Sequence, residues 1–165
     1  MKPNNRVYDS FEDYPQEQWY WPNFTPAEMA SRGDGKLAVD WDAMDKLQAL
    51  RTKLGKPLFI NSAYRSPEHN ERVGGAPKSM HLKAKAFDVQ MDNQDPVLFE
   101  AAAREVGFTS FGYYQKSRFM HIDTRDKPTT WGDPWADDAQ KADETADHSA
   151  PHPPRPVRKK RRFRT

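Results

Sequence analysis

The sequence predicts an α+β protein, in which helices pack on a small antiparallel sheet. Helical patterns with recognisable caps come mostly in the first half of the chain. Short runs rich in aromatic and β-branched residues come mostly later, and the last two are a hairpin length apart. The chain has 165 residues, which suits one domain plus a tail.

Each predicted helix begins at a residue that can cap it. Thr25 precedes a proline, and Glu28 completes a capping box with it. Ser66 caps a short helical turn that again starts with a proline. Asp95 opens a later helix, which Gly107 ends, because glycine readily adopts the conformation that follows a helix.

The longest predicted helix runs from Asp40, its cap, to Leu54. Gly55 ends it. Its apolar side chains recur at helical spacing and so share one face, which we interpret as a core-packing face. These residues are Trp41, Met44, Leu47, Leu50 and Leu54.

Four segments are predicted to be strands. They are LFIN at 58–61, AFDVQM at 86–91, FTSFGYY at 108–114 and RFMHIDT at 118–124. Alternation of apolar and polar residues indicates the second, and the last two are predicted to form a hairpin.

The composition divides the chain into four parts. Residues 1–22 form an irregular aromatic and acidic arm that we expect to pack on the domain at 23–132. An acidic and then proline-rich linker follows at 133–154. Residues 155–165 form a basic tail with seven Arg or Lys and no acid, whereas the remaining 19 basic and 24 acidic residues leave the body near −5.

The composition also excludes several classes of protein. The chain has no cysteine, so disulfides and thiolate metal sites are impossible and a metal site must use His, Asp and Glu. No apolar run of about 18 residues is present, which argues against a transmembrane helix. The first residues lack an apolar signal core, so we expect synthesis in the cytoplasm without a signal peptide.

Two histidines and two aspartates stand out in otherwise apolar strands. Asp88 lies on one face of the AFDVQM strand, and His81 can fold back toward it across a short turn. His121 and Asp123 share a face of the HIDT strand. If the strands are neighbours, His81, Asp88 and His121 converge as a catalytic zinc set. On spacing alone, satisfied structural histidines and turn-capping aspartates explain the pattern as well.

A longer motif favours the zinc site over these structural roles. The segment SAYRSPEHNERVGGAPKSMHLKAKAFDV, followed by FMHIDTR, resembles the zinc peptidases that cut peptidoglycan stem peptides and cross-links. That group includes D-Ala-D-Ala carboxypeptidases, the vancomycin-resistance dipeptidase and phage L-alanoyl-D-glutamate endolysins, and the Hedgehog signalling domain shares its fold. The resemblance covers about residues 23–131.

The resemblance implies roles for individual residues. His81, Asp88 and His121 look like the ligands of one zinc ion per chain. Arg65 matches the arginine that holds a substrate carboxylate or carbonyl, for which its fork of donors is suited. Asp123 is implied as general base or as the group that orients a zinc histidine.

The same match implies substrate-binding residues. Ser79 corresponds to the motif serine, which could hydrogen-bond substrate or orient the loop. Tyr64, Tyr113 and Tyr114 are candidates for lining the cleft, although packing is the commoner role for such residues.

The chain departs from the family pattern in two places. The family usually has glycine three residues after the first zinc histidine, where this chain has Ala84. Many relatives place an acid or histidine three or six residues before the last zinc histidine as base, where this chain has Arg118 and Gln115. Asp123 is the remaining acidic candidate near the metal, either as base or as the group that orients a zinc histidine, so the identity of the base stays open.

These observations predict a zinc peptidase that hydrolyses amide bonds in peptidoglycan. We expect a phage or prophage lysis enzyme, acting on the wall after release or from a virion. The alternative is a catalytically silent, metal-containing module of the same fold that binds cell wall. The bond cut and the oligomeric state are not predicted.

The basic tail at 155–165 suggests a second partner. We expect it to bind anionic envelope polymers or lipids. Nucleic acid is a weaker expectation, since the single Phe163 offers little base stacking, and a merely solvated tail is the third alternative.

Overall fold

The computed structural model describes residues 6–136, and within them helices and strands combine in an α+β fold, as predicted. The helices are α1 (Pro26–Met29), α2 (Trp41–Leu54), α3 (Pro67–Arg72) and α4 (Pro96–Val106). The strands are β1 (Ile60–Ser62), β2 (Ala86–Gln90), β3 (Ser110–Tyr114), β4 (Phe119–Asp123) and β5 (Thr130–Gly132). Short 3-10 helices lie at Phe11–Asp13, Gln16–Gln18 and Met80–Lys83.

The predicted caps begin the helices. Thr25 and Glu28 form a complete capping box, although α1 is only one turn long. Asp40 accepts a hydrogen bond from the third residue of α2, and Gly55 ends α2 in the left-handed conformation, at φ 69°. Ser66 caps α3 in the same way as Asp40 caps α2. Each cap satisfies a backbone group that the helix itself leaves without a partner.

The sheet separates an apolar core from a polar face. Its strand order is β1-β2-β4-β3-β5, and alternate residues of each strand face opposite sides. Phe87, Ile122 and Phe111 point into the core, where they meet α2 and α4 through residues such as Leu47 and Phe99. The polar residues that alternate with these apolar ones along β2 and β4 therefore face the opposite side of the sheet.

The sheet is antiparallel, as predicted, except at one edge. β1, β2, β4 and β3 pair antiparallel, but β5 pairs with β3 in parallel. No strand was predicted after residue 124. The three residues of β5 are too few to show a periodic pattern. The strand is defined by its pairing with β3, which begins where the Phe111 N–H donates a hydrogen bond to the Thr129 carbonyl.

Aromatic residues of the N-terminal segment belong to the same core. Tyr8, Tyr14 and Trp21 are buried in the main apolar cluster, and the Trp21 indole donates a 2.9 Å hydrogen bond to Asp45 of α2. Residues 137–165, which include most of the predicted linker and the whole predicted basic tail, lie outside the described residues. Within residues 6–136, no helix is both long and apolar enough to cross a membrane.

Candidate metal centre

The pairing of β2 with β4 places two of the predicted ligands side by side. Asp88 of β2 lies directly opposite His121 of β4. Both side chains leave the sheet on the face away from the core, because their neighbours Phe87 and Ile122 fill the core face. Asp88 and His121 are nevertheless buried, so each needs a partner for its polar atoms.

His81 reaches the same place from the 3-10 helix that precedes β2. Ser79 caps this helix by accepting a hydrogen bond from the backbone N–H of His81. The imidazole donates from Nδ1 to the Ala63 carbonyl at 2.6 Å, and the Arg65 backbone N–H donates to the His81 carbonyl at 3.1 Å. His81 is therefore fixed through both its backbone and its ring.

The three side chains converge on one point. Asp88 Oδ1 lies 3.1 Å from His81 Nε2 and 3.0 Å from His121 Nδ1. These atoms all lie within 4.8 Å of one another, and no other group of this kind is found in residues 6–136. Ligand atoms of a tetrahedral zinc ion stand about 3.3 Å apart, since zinc lies about 2.0 to 2.1 Å from each.

Hydrogen bonds on the far side of each ring determine which nitrogen is free. His81 uses Nδ1 to donate to a carbonyl, and His121 uses Nε2 to donate to Asp123 Oδ2 at 2.7 Å. In a neutral imidazole the other nitrogen then presents a lone pair. Both lone pairs face an Asp88 oxygen, which is an acceptor too, so the arrangement is stable only with protons or a cation between these atoms. Two imidazoles and one carboxylate suit zinc.

Asp123 lies behind His121 and is fully buried. Besides His121, it binds Arg125, which donates to its carboxylate from Nε and from Nη2, the latter at 2.6 Å. The backbone N–H of Arg125 donates to Oδ1 as well. Both oxygens of Asp123 are thus occupied by partners of this chain, on the side of His121 away from Asp88.

These contacts shift the pKa values of the site. Burial favours neutral Asp88, but hydrogen bonds with His121 and His81 outweigh it and hold the pKa of Asp88 well below its usual range. Burial likewise opposes a charge on His121, yet Asp123 and Asp88 raise its pKa. For Asp123, burial is outweighed by His121 and Arg125, which lower its pKa to about 2. The carboxylates are therefore ionised near neutral pH, as metal ligands and their partners must be.

Arg65 lies at the edge of the same cluster. Its Nη2 is 3.5 Å from Asp88 Oδ2, its Nε donates to Ser62 Oγ at 3.3 Å, and its Nη1 donates to Asn70 Oδ1 at 3.0 Å. Asn70 is buried and also donates to the Ala76 carbonyl. These three contacts leave other N–H groups of the guanidinium for an incoming acceptor.

The structure does not bring all the predicted substrate-binding residues to the cluster. Tyr64 is buried in a separate small apolar group with Ala84. Tyr113 faces the core side of the sheet, opposite Met120, and its hydroxyl donates to Glu100 at 2.8 Å. Sequence alternation alone could not tell which of two adjacent tyrosines faces the site. Tyr114, its neighbour, is on the same face as His121 and is partly exposed.

The two positions at which the resemblance implies a base, 115 and 118, are occupied by residues with other partners. The Gln115 amide donates to the carbonyls of Asp133 and Pro134. The Arg118 guanidinium pairs with Asp92. Ala84, which stands where the family usually has glycine, adopts a left-handed conformation at φ 60°, and this explains why glycine suits the position.

Three residues near the cluster had no predicted role. Asn70 belongs to the quoted YRSPEHN segment and Arg125 to HIDTR, so both were present in the motifs without an assigned partner. Trp131 of β5 lies with its ring centroid 5.0 Å from that of His121. No local sequence signal indicates Trp131, because its position depends on the parallel pairing of β5.

The fold and this cluster define an α+β metal-binding domain with the donor set of a catalytic zinc site. Comparison with known proteins identifies the family. Residues 22–123 match the model of the Peptidase M15 family. The match includes His81, Asp88 and His121 and covers more than half of the chain. The chain therefore belongs to the Peptidase M15 family.

Two curated relatives share this region. The zinc D-Ala-D-Ala carboxypeptidase of Streptomyces albus G is 37% identical over 83 residues, which are 48% of this chain and 32% of the carboxypeptidase. The peptidoglycan L,D-endopeptidase MepK of Escherichia coli K12 is 34% identical over 94 residues, which are 53% of this chain and 52% of MepK. The matched region thus spans only a third to a half of these relatives' length.

The lowered pKa of Asp123 predicts how the metal-free protein responds to acid. A carboxyl with a folded pKa of about 2 stabilises the fold above its ordinary pKa of about 3.9, and this contribution disappears as the pH falls from 4 toward 2. When the pH is lowered from 6 to 2.5 with EDTA present, the unfolding free energy of the unmodified chain should fall by about 2 kcal/mol more than that of the Asp123→Asn variant. Denaturant titrations at both pH values measure this difference.

The matched control is Asp92→Asn, which removes a carboxyl that also pairs with an arginine but is 59% exposed. Its acid response should follow that of the unmodified chain, because exposed ion pairs contribute little. Equal losses in the unmodified chain and in Asp123→Asn would contradict the assignment of the low pKa to Asp123.

Proposed function

We propose that this chain is a zinc-dependent peptidase that hydrolyses amide bonds in the stem peptides or cross-links of peptidoglycan. The observation that carries the proposal is the convergence of His81 Nε2, Asp88 Oδ1 and His121 Nδ1, with the outer nitrogen of each ring already bonded. The names of the two relatives, a zinc carboxypeptidase and a peptidoglycan endopeptidase, support both the metal and the substrate class.

Zinc held by these three groups would keep one position for water, lower the pKa of that water and polarise the scissile carbonyl. The chain itself supplies the geometry. The Ala63 carbonyl and Asp123 keep each imidazole in the tautomer whose lone pair faces the centre. Such partners orient the ligand and increase its basicity.

We assign Arg65 to substrate positioning. Its guanidinium lies beside the candidate ligand Asp88 and is only 16% exposed, so a substrate acceptor at the metal would be within its reach. Asn70 and Ser62 fix the plane of the group. A planar fork held in advance loses little entropy when it binds a carboxylate or carbonyl.

We assign Asp123 to orienting His121 rather than to taking a proton from water. A general base must lie within hydrogen-bond reach of the water it deprotonates. Asp123 is buried, lies on the far side of the His121 ring, and has both oxygens bonded to His121 and Arg125. Ser79 is assigned to fixing His81, because its hydroxyl accepts a hydrogen bond from the backbone N–H of His81.

A second function is favoured by one observation. Gln115 and Arg118 replace the acids of many relatives, and both are engaged elsewhere. A catalytically silent module that keeps the metal and binds cell wall would need no base. The cleavage test below separates the two functions.

We also propose that the basic tail at 155–165 holds the protein on anionic envelope polymers or lipids, and that the enzyme serves in wall lysis by a phage or prophage. The support is seven basic residues without an acid and the resemblance of the segments around His81 and His121 to zinc peptidases that include phage endolysins. Clustered positive charge attracts anionic surfaces over roughly a Debye length, about 8 Å at physiological salt.

The zinc-loaded protein is expected to release peptide fragments from purified sacculi. EDTA should abolish release, and zinc should restore it. His81→Ala should lose tight zinc binding and cleavage together, since two remaining ligands do not make a catalytic site. Mass spectrometry of the soluble products identifies the bond. Released D-Ala indicates a carboxypeptidase. Fragments from cleaved cross-links or stem peptides indicate an endopeptidase suited to lysis.

Full zinc occupancy without any released fragment would contradict the peptidase and support the silent module. If His81→Ala still bound one zinc per chain and still cleaved, the ligand assignment would be wrong.

The hydrogen bond from Arg65 to Asn70 predicts weaker substrate binding when Asn70 is replaced. Asn70→Ala removes a hydrogen bond to a charged group, which is worth about 1.5 to 3 kcal/mol. We expect KM for a soluble muropeptide to rise about tenfold or more with a smaller change in kcat, while zinc affinity stays unchanged. Asn61→Ala is the matched control, because Asn61 is exposed and its side-chain amide oxygen accepts a hydrogen bond from Gln90 rather than from Arg65. Equal kinetics for the two variants would exclude a role of Asn70 in holding Arg65.

Deletion of residues 155–165 tests the tail. The full chain should be retained on anionic sacculi, with retention falling as salt rises, and the shortened chain should lose most of it. Zinc affinity should not change. Stronger retention on duplex DNA would favour nucleic acid as the partner, and equal weak retention on both would leave only generic charge.

A further inference from the structure

Trp131 lies on the same face of the sheet as the candidate metal ligands. β5 pairs in parallel with β3 and places Trp131 beside Gly112, and Gly112 lies opposite His121 in the pairing of β3 with β4. The indole extends over Gly112 toward β4. Its ring centroid is 5.0 Å from that of His121, with the planes at 50°.

The absence of a side chain at Gly112 makes this approach possible. A Cβ at residue 112 would lie 2.5 Å from Cε2 of Trp131 and 2.6 Å from two further indole atoms. These distances are shorter than van der Waals contact allows, so the indole would have to move away. Gly112 and Trp131 therefore form a fitted pair.

Two further contacts hold the indole in place. Its Nε1 donates a 2.9 Å hydrogen bond to the Tyr114 hydroxyl. The guanidinium carbon of Arg125 lies 5.3 Å from the ring centroid, within the range of a cation–π contact. Arg125 simultaneously binds Asp123, which binds His121. Trp131 thus contacts both ends of the His121–Asp123–Arg125 chain of hydrogen bonds.

We propose that Trp131 is a positioning residue for the metal centre. It restrains the His121 ring and excludes water from the hydrogen bonds that connect His121, Asp123 and Arg125. A ligand whose ring is already oriented needs less ordering when the metal binds. Exclusion of water also strengthens the hydrogen bonds from His121 to Asp123 and from Arg125 to Asp123. Trp131 lies beyond the family match, which ends at residue 123, so this support comes from a segment outside the matched region.

The inference rests on the proposed metal centre but not on peptidase activity. Its test is zinc affinity by chelator competition, together with the rate of zinc release to excess EDTA. Trp131→Ala should weaken zinc binding by about tenfold or more, the usual effect of removing a group that supports a ligand. Trp131→Phe keeps an aromatic contact and should lose less.

A matched control distinguishes this effect from general destabilisation. Trp135→Ala removes an equally large ring that packs on Tyr113 from the core side of the sheet, and it should leave zinc affinity unchanged. Equal losses in Trp131→Ala and Trp135→Ala would overturn the proposal, as would unchanged zinc affinity in Trp131→Ala.

Gly112→Ala provides an independent variant that leaves the tryptophan in the sequence. Its methyl group displaces the indole, so its zinc affinity should match that of Trp131→Ala, and the double variant should show no further loss. Additive losses would overturn the proposal. If the unmodified chain and His81→Ala bind zinc equally weakly, the metal centre itself is wrong, whereas tight binding that is insensitive to Trp131 overturns only the positioning role.

Discussion

The pairing of Asp88 with His121 across β2 and β4 is the constraint on which the site depends. Antiparallel pairing fixes which residues face each other, and a shift of either strand by one residue would turn its polar side chain into the core. Phe87 and Ile122, each next to one of them in sequence, prevent that shift because both are fully packed on the helices. The apolar core therefore determines the geometry of the polar site on the other face.

His81 comes from outside the sheet and is fixed differently. Reciprocal contacts connect its segment to the one that carries Arg65, since His81 donates to the Ala63 carbonyl and the Arg65 N–H donates back to the His81 carbonyl. The candidate ligand and the candidate substrate-binding arginine are therefore positioned by the same short stretch of backbone. A displacement of one segment would disturb both His81 and Arg65.

Features that depend on neighbouring residues, or on the pairing of two clearly alternating strands, could be predicted from the sequence. Features that depend on the arrangement of the whole sheet could not. Caps such as Asp40 and Ser66 act within one turn, so their neighbours are enough to identify them. The convergence of Asp88 and His121 required only that two alternating strands pair. The parallel edge strand β5 has three residues and a partner set by the whole sheet, which is why neither its direction nor Trp131 was foreseen.

The charges of the site explain how it can be buried. Each carboxylate has a cationic partner from this chain, Arg65 for Asp88 and Arg125 for Asp123. Buried ions without partners are strongly destabilising, and here the two acids and two arginines balance. A divalent ion would then add positive charge that the two arginine–carboxylate pairs do not cancel. The arginines thus stabilise the carboxylates, and a zinc ion held by His81, Asp88 and His121 would keep net positive charge for polarising water and a carbonyl.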